Sequence, residues 1–242
     1  MHGEHSRKVA GYFSSIVPWY DFLNHFLSLG QDVCWRRRLV SHVRVPENGL
    51  ALDLAAGTMD VTRDILRAAP GRTVLAADLT LPMLVRGRQK LSPLFSMRMH
   101  AVQADGCLLP LQDESVDCVS IAFGIRNIVP RRQAYEEILR VLRPGGRLCI
   151  LEFGTGRKRI WGGLYNFYLF RILPLIGRLF SKDREAYTYL AQTIADFPDE
   201  DRLGQELLEA GFSGFFCYPM SSGIVYVHVA RKKNPKVSGP DR

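Results

Sequence analysis

The sequence predicts an α/β fold: a mostly parallel, seven-stranded sheet with an antiparallel C-terminal hairpin and helices on both faces. Three observations predict it. From Gly49 to residue 153, short apolar runs alternate with helical stretches, the pattern of successive βαβ units. Right-handed crossovers leave few topologies for such a chain. Towards the C-terminus two more apolar runs, SGFFCYPM and GIVYVHVA, are separated only by SSG, a spacing that folds back as a hairpin.

Each element follows from its own pattern. Residues 1–45 read as a helical cap ahead of an α/β domain spanning 46–242. Val9, Phe13, Ile16 and Val17 share one helical face, which Pro18 interrupts. DFLNHFLSLG starts at an Asp cap and stops at Gly30. QDVCWRRRLVSHV carries Val33, Leu39 and Val43 above a cationic face of Arg36, Arg37 and Arg38. That face is either solvated or in contact with an anionic surface. GLALDLAA is the first strand, followed by AAGTMD, with Thr58 at the N-cap position of the helix VTRDILRAA. TVLAADL, MHAVQAD, VDCVSIAFG and GRLCILEFG are the next strands, and LPMLVRGRQKL and RRQAYEEILRVL are helices between them. Residues 157–180 are aromatic and basic with no acid, and 157–196 together predict a helical lid. DEDRLGQELLEAGF is a helix closed by Gly211, and 231–242 reads as a disordered basic tail.

Composition excludes several classes. The chain has 242 residues, 47% hydrophobic and 23% charged, which rules out disordered, collagenous and coiled-coil proteins. Lys and Arg number 32 against 24 Asp and Glu, a net charge of +8 without any single basic block. Nucleic acid, anionic lipid and an anionic substrate are all compatible with that balance. Five scattered cysteines with no CxxC pair predict neither a disulfide framework nor a zinc site, and suit a reducing cytosol. No metal site is expected. MHGEHSRKVAGYF has no apolar secretory core, and no membrane-spanning helix is expected. A cytoplasmic protein is the expectation, and a homodimer is left open.

In an open parallel sheet, ligands bind at the carboxyl ends of the strands, at the point where strand order reverses. Strand one delivers Asp53 and then Gly57, where a side chain would block close approach to the backbone. Strand two ends in Asp78, placed to accept from both hydroxyls of a ribose. Strand three ends in Asp105-Gly106, able to accept from an exocyclic amine. Three carboxylates suit a cationic, nucleoside-like ligand better than a pyrophosphate. The loop also lacks GxGxxG, and Asp60 in the first helical turn would compete with phosphate.

On these residues the sequence resembles a known family. LDLAAGTMD, FGIRNI and RVLRPGGRLCILEF resemble the class I S-adenosylmethionine-dependent methyltransferases, with their Rossmann-like fold. VPWYDFLNHFLSLGQDVCWRRR and LPLIGRLFSKDREAYTYLAQTIADFPD extend the likeness to the ubiquinone/menaquinone biosynthesis C-methyltransferases. The resemblance implies S-adenosyl-L-methionine as cofactor, bound by Thr58, Asp78, Asp105 and Gly106. It also implies C-methylation of a reduced, prenylated quinone, with Tyr20, Arg126 and Asn127 as the catalytic group. Arg126 is too basic to be a base, so a phenolate-stabilising role suits it, or else a structural ion pair with Asp117 or Asp105. Trp161, Tyr165 and Tyr168, rimmed by Arg157, Lys158 and Arg159, suit a groove for the prenyl tail at an anionic membrane surface. Ala56 and Met59 stand where the family has glycines, and Met59 is expected beside the cofactor. The alternatives are a small-molecule O-methyltransferase and a nucleic-acid methyltransferase or binder. FGIRN in place of an NPPY-like run argues against nucleic acid as a partner.

Overall fold

The computed structural model describes residues 2–154, 189 and 192–235, so most of the expected lid lies outside the described residues, its aromatic groove and basic rim included. Helices α1 (His2–Ile16), α2 (Tyr20–Leu27) and α3 (Gln31–His42) precede the sheet. Then follow β1 (Leu50–Leu54), α4 (Asp60–Ala68), β2 (Thr73–Asp78), α5 (Leu81–Lys90), the short α6 (Pro93–Ser96) and β3 (Met99–Gln103). The second half supplies β4 (Val116–Ala122), α7 (Arg131–Val141), β5 (Leu142–Phe153), α8 (Glu200–Glu209), β6 (Gly214–Met220) and β7 (Val225–Arg231). The strands form one seven-stranded sheet in the order β3-β2-β1-β4-β5-β7-β6. Strands β1 to β5 pair in parallel, while β7 runs antiparallel to both neighbours, as the hairpin spacing predicts. Strand order reverses between β1 and β4.

Alternation along the strands sends side chains to opposite faces. On one face Leu52, Leu54, Val119, Ile121 and Ile150 pack with Tyr135 and Ile138 of α7 and Leu203 and Leu207 of α8. On the other, Ala51, Cys118, Cys149 and Leu151 pack with Trp35 and Leu39 of α3, Val61 and Ile65 of α4 and Leu84 of α5. Full burial of each large apolar side chain is worth about 1.5–3 kcal/mol, so these two layers supply most of the drive to fold. The five cysteines are free thiols.

Several local expectations change. Helix α2 starts at Tyr20, so Asp21 sits in its first turn instead of capping it. Arg36 is not on a solvated face: it reaches Asp32 at 2.5 Å and Asp64 at 3.3 Å, and only Arg37 and Arg38 stay exposed. The PGG turn falls inside β5, where the register against β4 jumps from Val116–Leu142 to Cys118–Arg147. The tail begins later than 231. Arg231 pairs across the sheet with Arg147 and Gly214, and Lys232 exchanges backbone hydrogen bonds with Gly145 and Gly146.

The loop after β1 holds the largest departure. Met59, not Thr58, occupies the N-cap of α4, with φ of 63°. Ala55 and Gly57 are also left-handed, at 55° and 52°, whereas Ala56 is not, so alanine costs nothing there. The Met59 side chain points away from the ligand-binding end of the sheet and is 1% exposed in the core. It presses on α5, where a Cβ on Gly87 would come within 2.6 Å of its Cγ and 2.8 Å of the Thr58 carbonyl carbon. Restoring glycine, Met59→Gly, relieves about 1 kcal/mol of left-handed strain but empties a site where Met→Ala costs about 2–5 kcal/mol. Calorimetry should therefore show a lower Tm for the variant. An unchanged or higher Tm would mean that backbone strain outweighs the packing.

Candidate active site

The ends of β1, β2, β3 and β4 converge on a cleft that is open to solvent and lined by residues of all four strand ends. Its floor carries Gly57, Asp78, Asp105 and Gly106, and its roof carries Val9, Phe13 and Tyr20 from the N-terminal helices. Turn geometry brings these groups close. A Cβ on Gly124 would lie 2.5 Å from that of Ala55, and one on Gly106 would lie 2.9 Å from Ile128. Backbones therefore meet where side chains would otherwise fill the cleft. A Cβ on Gly57 would meet the Tyr20 ring at 3.8 Å.

The carboxylates differ in what they face. Asp78 Oδ2 accepts from the Gly57 amide at 2.8 Å, and Oδ1 accepts from the Thr80 amide at 2.7 Å. Burial still pushes its pKa up, against those two amides. Asp105 accepts from the Cys107 amide at 2.9 Å and from Ser6 Oγ at 3.2 Å, which ties α1 to the floor. Asp53 does not line the cleft. It is 1% exposed beneath the loop, accepting from Thr62 Oγ1 at 2.6 Å and Ser120 Oγ at 2.9 Å. Burial pushes it up to about 6. Thr58 is likewise turned away from the cleft, donating to Asp21 and receiving Lys90 Nζ at 3.0 Å.

Past β4, Asn127 lines the cleft, with Oδ1 accepting from Tyr189 Oη at 3.2 Å and its carbonyl 3.3 Å from His5 Nε2. Arg126 sits behind this wall instead of on it. Its Nη1 donates to Glu152 Oε1 at 2.8 Å and to the Phe123 carbonyl at 2.5 Å. Neither suggested carboxylate is its partner: Asp117 pairs with Arg143 at 2.6 Å. Burial raises the pKa of Glu152, of Tyr20 and of Tyr189, while the Arg126 charge pulls each of them down. Among the described residues, Arg126 Nε and Glu152 Oε2 have no hydrogen-bond partner. No group of three or more His, Cys, Asp and Glu side chains among the described residues could hold a metal ion.

Residues 1–232 match the model of the ubiE/COQ5 methyltransferase family. The chain belongs to that family. A ubiquinone/menaquinone biosynthesis C-methyltransferase UbiE of Geobacter sulfurreducens is 40% identical over 232 residues, covering 95% of this chain and 90% of the relative. One of the same name from Pseudomonas paraeruginosa is 40% identical over 225 residues, covering 92% and 88%. Among solved structures, a SAM-dependent methyltransferase of Thermotoga maritima superposes with a TM-score of 0.66 at 16% identity, covering 92% of this chain and 99% of that one. A Haemonchus contortus phosphoethanolamine N-methyltransferase 2, solved with S-adenosyl-L-methionine, gives 0.61 at 14% identity over 84% and 52%. These two likenesses carry the fold alone. Like its family, the protein is an S-adenosylmethionine-dependent methyltransferase with a Rossmann-like sheet.

Sequence reasoning missed several groups that this family member places around the cleft. Glu152, Asp21 and Tyr189 fall inside the runs that carry the family resemblance but receive no role at the site from it, and Ser6 and Lys90 lie on helices outside those runs. Only the acid in an otherwise apolar strand, CILEF, singles out Glu152 in the sequence.

The raised pKa of Asp53 gives a measurable signature. Between its unfolded value of 3.8 and about 6, the folded state binds the extra proton, so stability falls as pH rises through that window. Two such pKa units correspond to about 3 kcal/mol. Asp53→Asn removes the dependence. The stability of wild type relative to the variant should therefore shrink from pH 4 to pH 7 in thermal unfolding. A constant difference would mean that Asp53 is not buried as a proton-binding group.

Proposed function

We propose that the cleft holds S-adenosylmethionine against Gly57, between Asp78 and Asp105, and that the acceptor is a ring carbon of a reduced, prenylated quinone beneath Tyr20 and Asn127. The observation that carries this reading is the division of one cleft into a carboxylate floor and a phenol–amide roof, which meet where Tyr20 covers Gly57. Asp78 ends β2 facing the cleft, where a carboxylate suits two vicinal hydroxyls. Asp105, beside the glycine that leaves room for a flat ring, suits an exocyclic amine. The bound cofactor supplies an electrophilic methyl group on a positive sulfur, which the acidic floor favours.

The acceptor carbon becomes nucleophilic when the neighbouring ring hydroxyl loses its proton, and a free phenol has a pKa of about 10. The roof must therefore stabilise a developing phenolate. Burial keeps Tyr20 protonated, so its hydroxyl is a donor to that oxygen and not a base. Asn127, fixed by Tyr189, holds the ring against the wall. Arg126 acts through its neighbours: its charge, anchored by Glu152, favours negative charge on the groups before it. The relatives are named for ubiquinone and menaquinone biosynthesis, and demethylmenaquinol or the equivalent ubiquinol precursor is the substrate that suits this cleft.

Helix α2, which roofs the cleft, presents Phe22 and Phe26 outward, stacked at 5.7 Å, and Trp19 and Leu29 flank it; the four are 47% to 84% exposed. None of the helices among the described residues is long and apolar enough to cross a membrane. An aromatic face beside the cleft suits contact with the bilayer surface that carries a prenylated acceptor.

Two experiments test this reading. Labelled S-adenosylmethionine with chemically reduced demethylmenaquinone, or with the ubiquinol precursor, should yield a ring-methylated product. Arg126→Lys keeps the charge but cannot hold Glu152 and the Phe123 carbonyl together in the same way. Its kcat should fall by up to about a hundredfold, the usual cost of misplacing a catalytic group by about 1 Å, with the cofactor Kd within twofold. Weakened cofactor binding with turnover spared would instead make Arg126 a support of the pocket wall. For the membrane face, Phe22→Ser and Phe26→Ser should each reduce sedimentation with vesicles containing anionic lipid. Unchanged sedimentation would remove α2 from any lipid contact.

A further inference from the structure

Lys90, at the end of α5, gathers three other segments around one ammonium. Its Nζ lies 2.6 Å from Asp21 Oδ2 on α2, 3.0 Å from Thr58 Oγ1 in the loop after β1, and 3.1 Å from Asp60 Oδ1 at the start of α4. Thr58 completes the ring by donating its hydroxyl to Asp21. Arg63, 2.9 Å from Asp60, and Arg36, whose charge also acts on Asp60, face the cluster as well. Asp21 follows Tyr20, the residue whose ring covers Gly57.

We propose that Lys90 and Asp21 are positioning residues that clamp α2 onto the cofactor loop, keep Tyr20 seated over Gly57, and so set the rate at which S-adenosylmethionine and its demethylated product leave. The clamp rests on the cofactor lying against Gly57 and Asp78, and it is independent of the acceptor's identity. Its effect is local. The three charged side chains keep 19%, 33% and 25% of their surface, and ion pairs of that exposure contribute little to global stability. Helix α2, however, buries only Leu23. A segment with so few buried contacts opens at low cost, so each polar tie weighs heavily on its open and closed populations. No neutral side chain at position 90 would satisfy the two carboxylates and the hydroxyl together. The chemistry therefore requires a long cation with several donors.

The test follows release of S-adenosylhomocysteine from the full-length protein by stopped flow, with Kd from calorimetry. Lys90→Met and Asp21→Asn should each speed release tenfold or more. In a double-mutant cycle with Tyr20→Leu, Lys90→Met should add almost nothing, because both changes unseat the same ring. Amide exchange on the ligand-free protein should accelerate in α2 of Lys90→Met, with α4 and α5 unchanged. Asp21→Asn, at the more exposed end of the contact, carries the test if Lys90→Met fails to fold. Asp78→Ala separates the clamp from the site it serves: it should abolish binding while α2 protection persists. Release rates within twofold of wild type in both variants, or multiplicative effects with Tyr20→Leu, would overturn the clamp.

Discussion

One buried carboxylate holds the strand reversal together. Asp53 takes a hydroxyl from Thr62 on α4 and another from Ser120 on β4, so a single side chain bonds the first strand to the helix that follows it and to the strand beside it. Two strands diverging from a switch point leave an opening, and the opening keeps its shape only if its inner end is fixed. The cost is visible in the raised proton affinity of Asp53, whose ionised form is poorly solvated beneath the loop. Because Asp53 is used up underneath, the carboxylates that line the cleft are those of β2 and the loop after β3.

Above that anchor the chain turns sharply. Ala55, Gly57, Met59 and Phe123 all have positive φ, three of them without glycine's freedom. Each is held by something specific. Met59 is buried against α5, Gly124 leaves room for Ala55, and the Phe123 carbonyl accepts from Arg126. Arg126 and Glu152 form a second buried pair behind the wall. Breaking such a pair by removing one partner costs more than the pair itself contributes, which makes it a sensitive element of the site.

The strands, the switch point, and the floor positions of Asp78, Asp105 and Gly106 were legible in the sequence, because short continuous apolar runs, buried on both faces of the sheet, and the acids that follow them are local signals. The hairpin was legible from the three-residue spacing between its two runs. What escaped depended on partners far away along the chain. Thr58 turns to Asp21, 37 residues off, and Arg126 to Glu152, 26 residues off, and no local pattern announces either. Asp53 is the last residue but one of β1, whereas Asp78 is the last of β2, and packing from α4 and β4 covers Asp53. Met59 looked like a neighbour of the ligand only because its left-handed backbone, which sends the side chain the other way, leaves no mark in a linear motif.

The contacts at Gly124 and Gly106 have an evolutionary consequence. At the floor, a single added carbon meets Ala55 or Ile128 at under 3 Å, so almost any replacement disturbs two loops at once. The roof is made of side chains on helices with one partly open face, where Val9, Phe13 and Tyr20 contribute shape and not backbone. Substitutions there alter the upper part of the cleft while leaving its floor intact. With the methyl donor on the floor and the acceptor beneath the roof, as proposed, a lineage built on this chain is free to drift in the molecule it methylates and much less free to drift in its methyl donor.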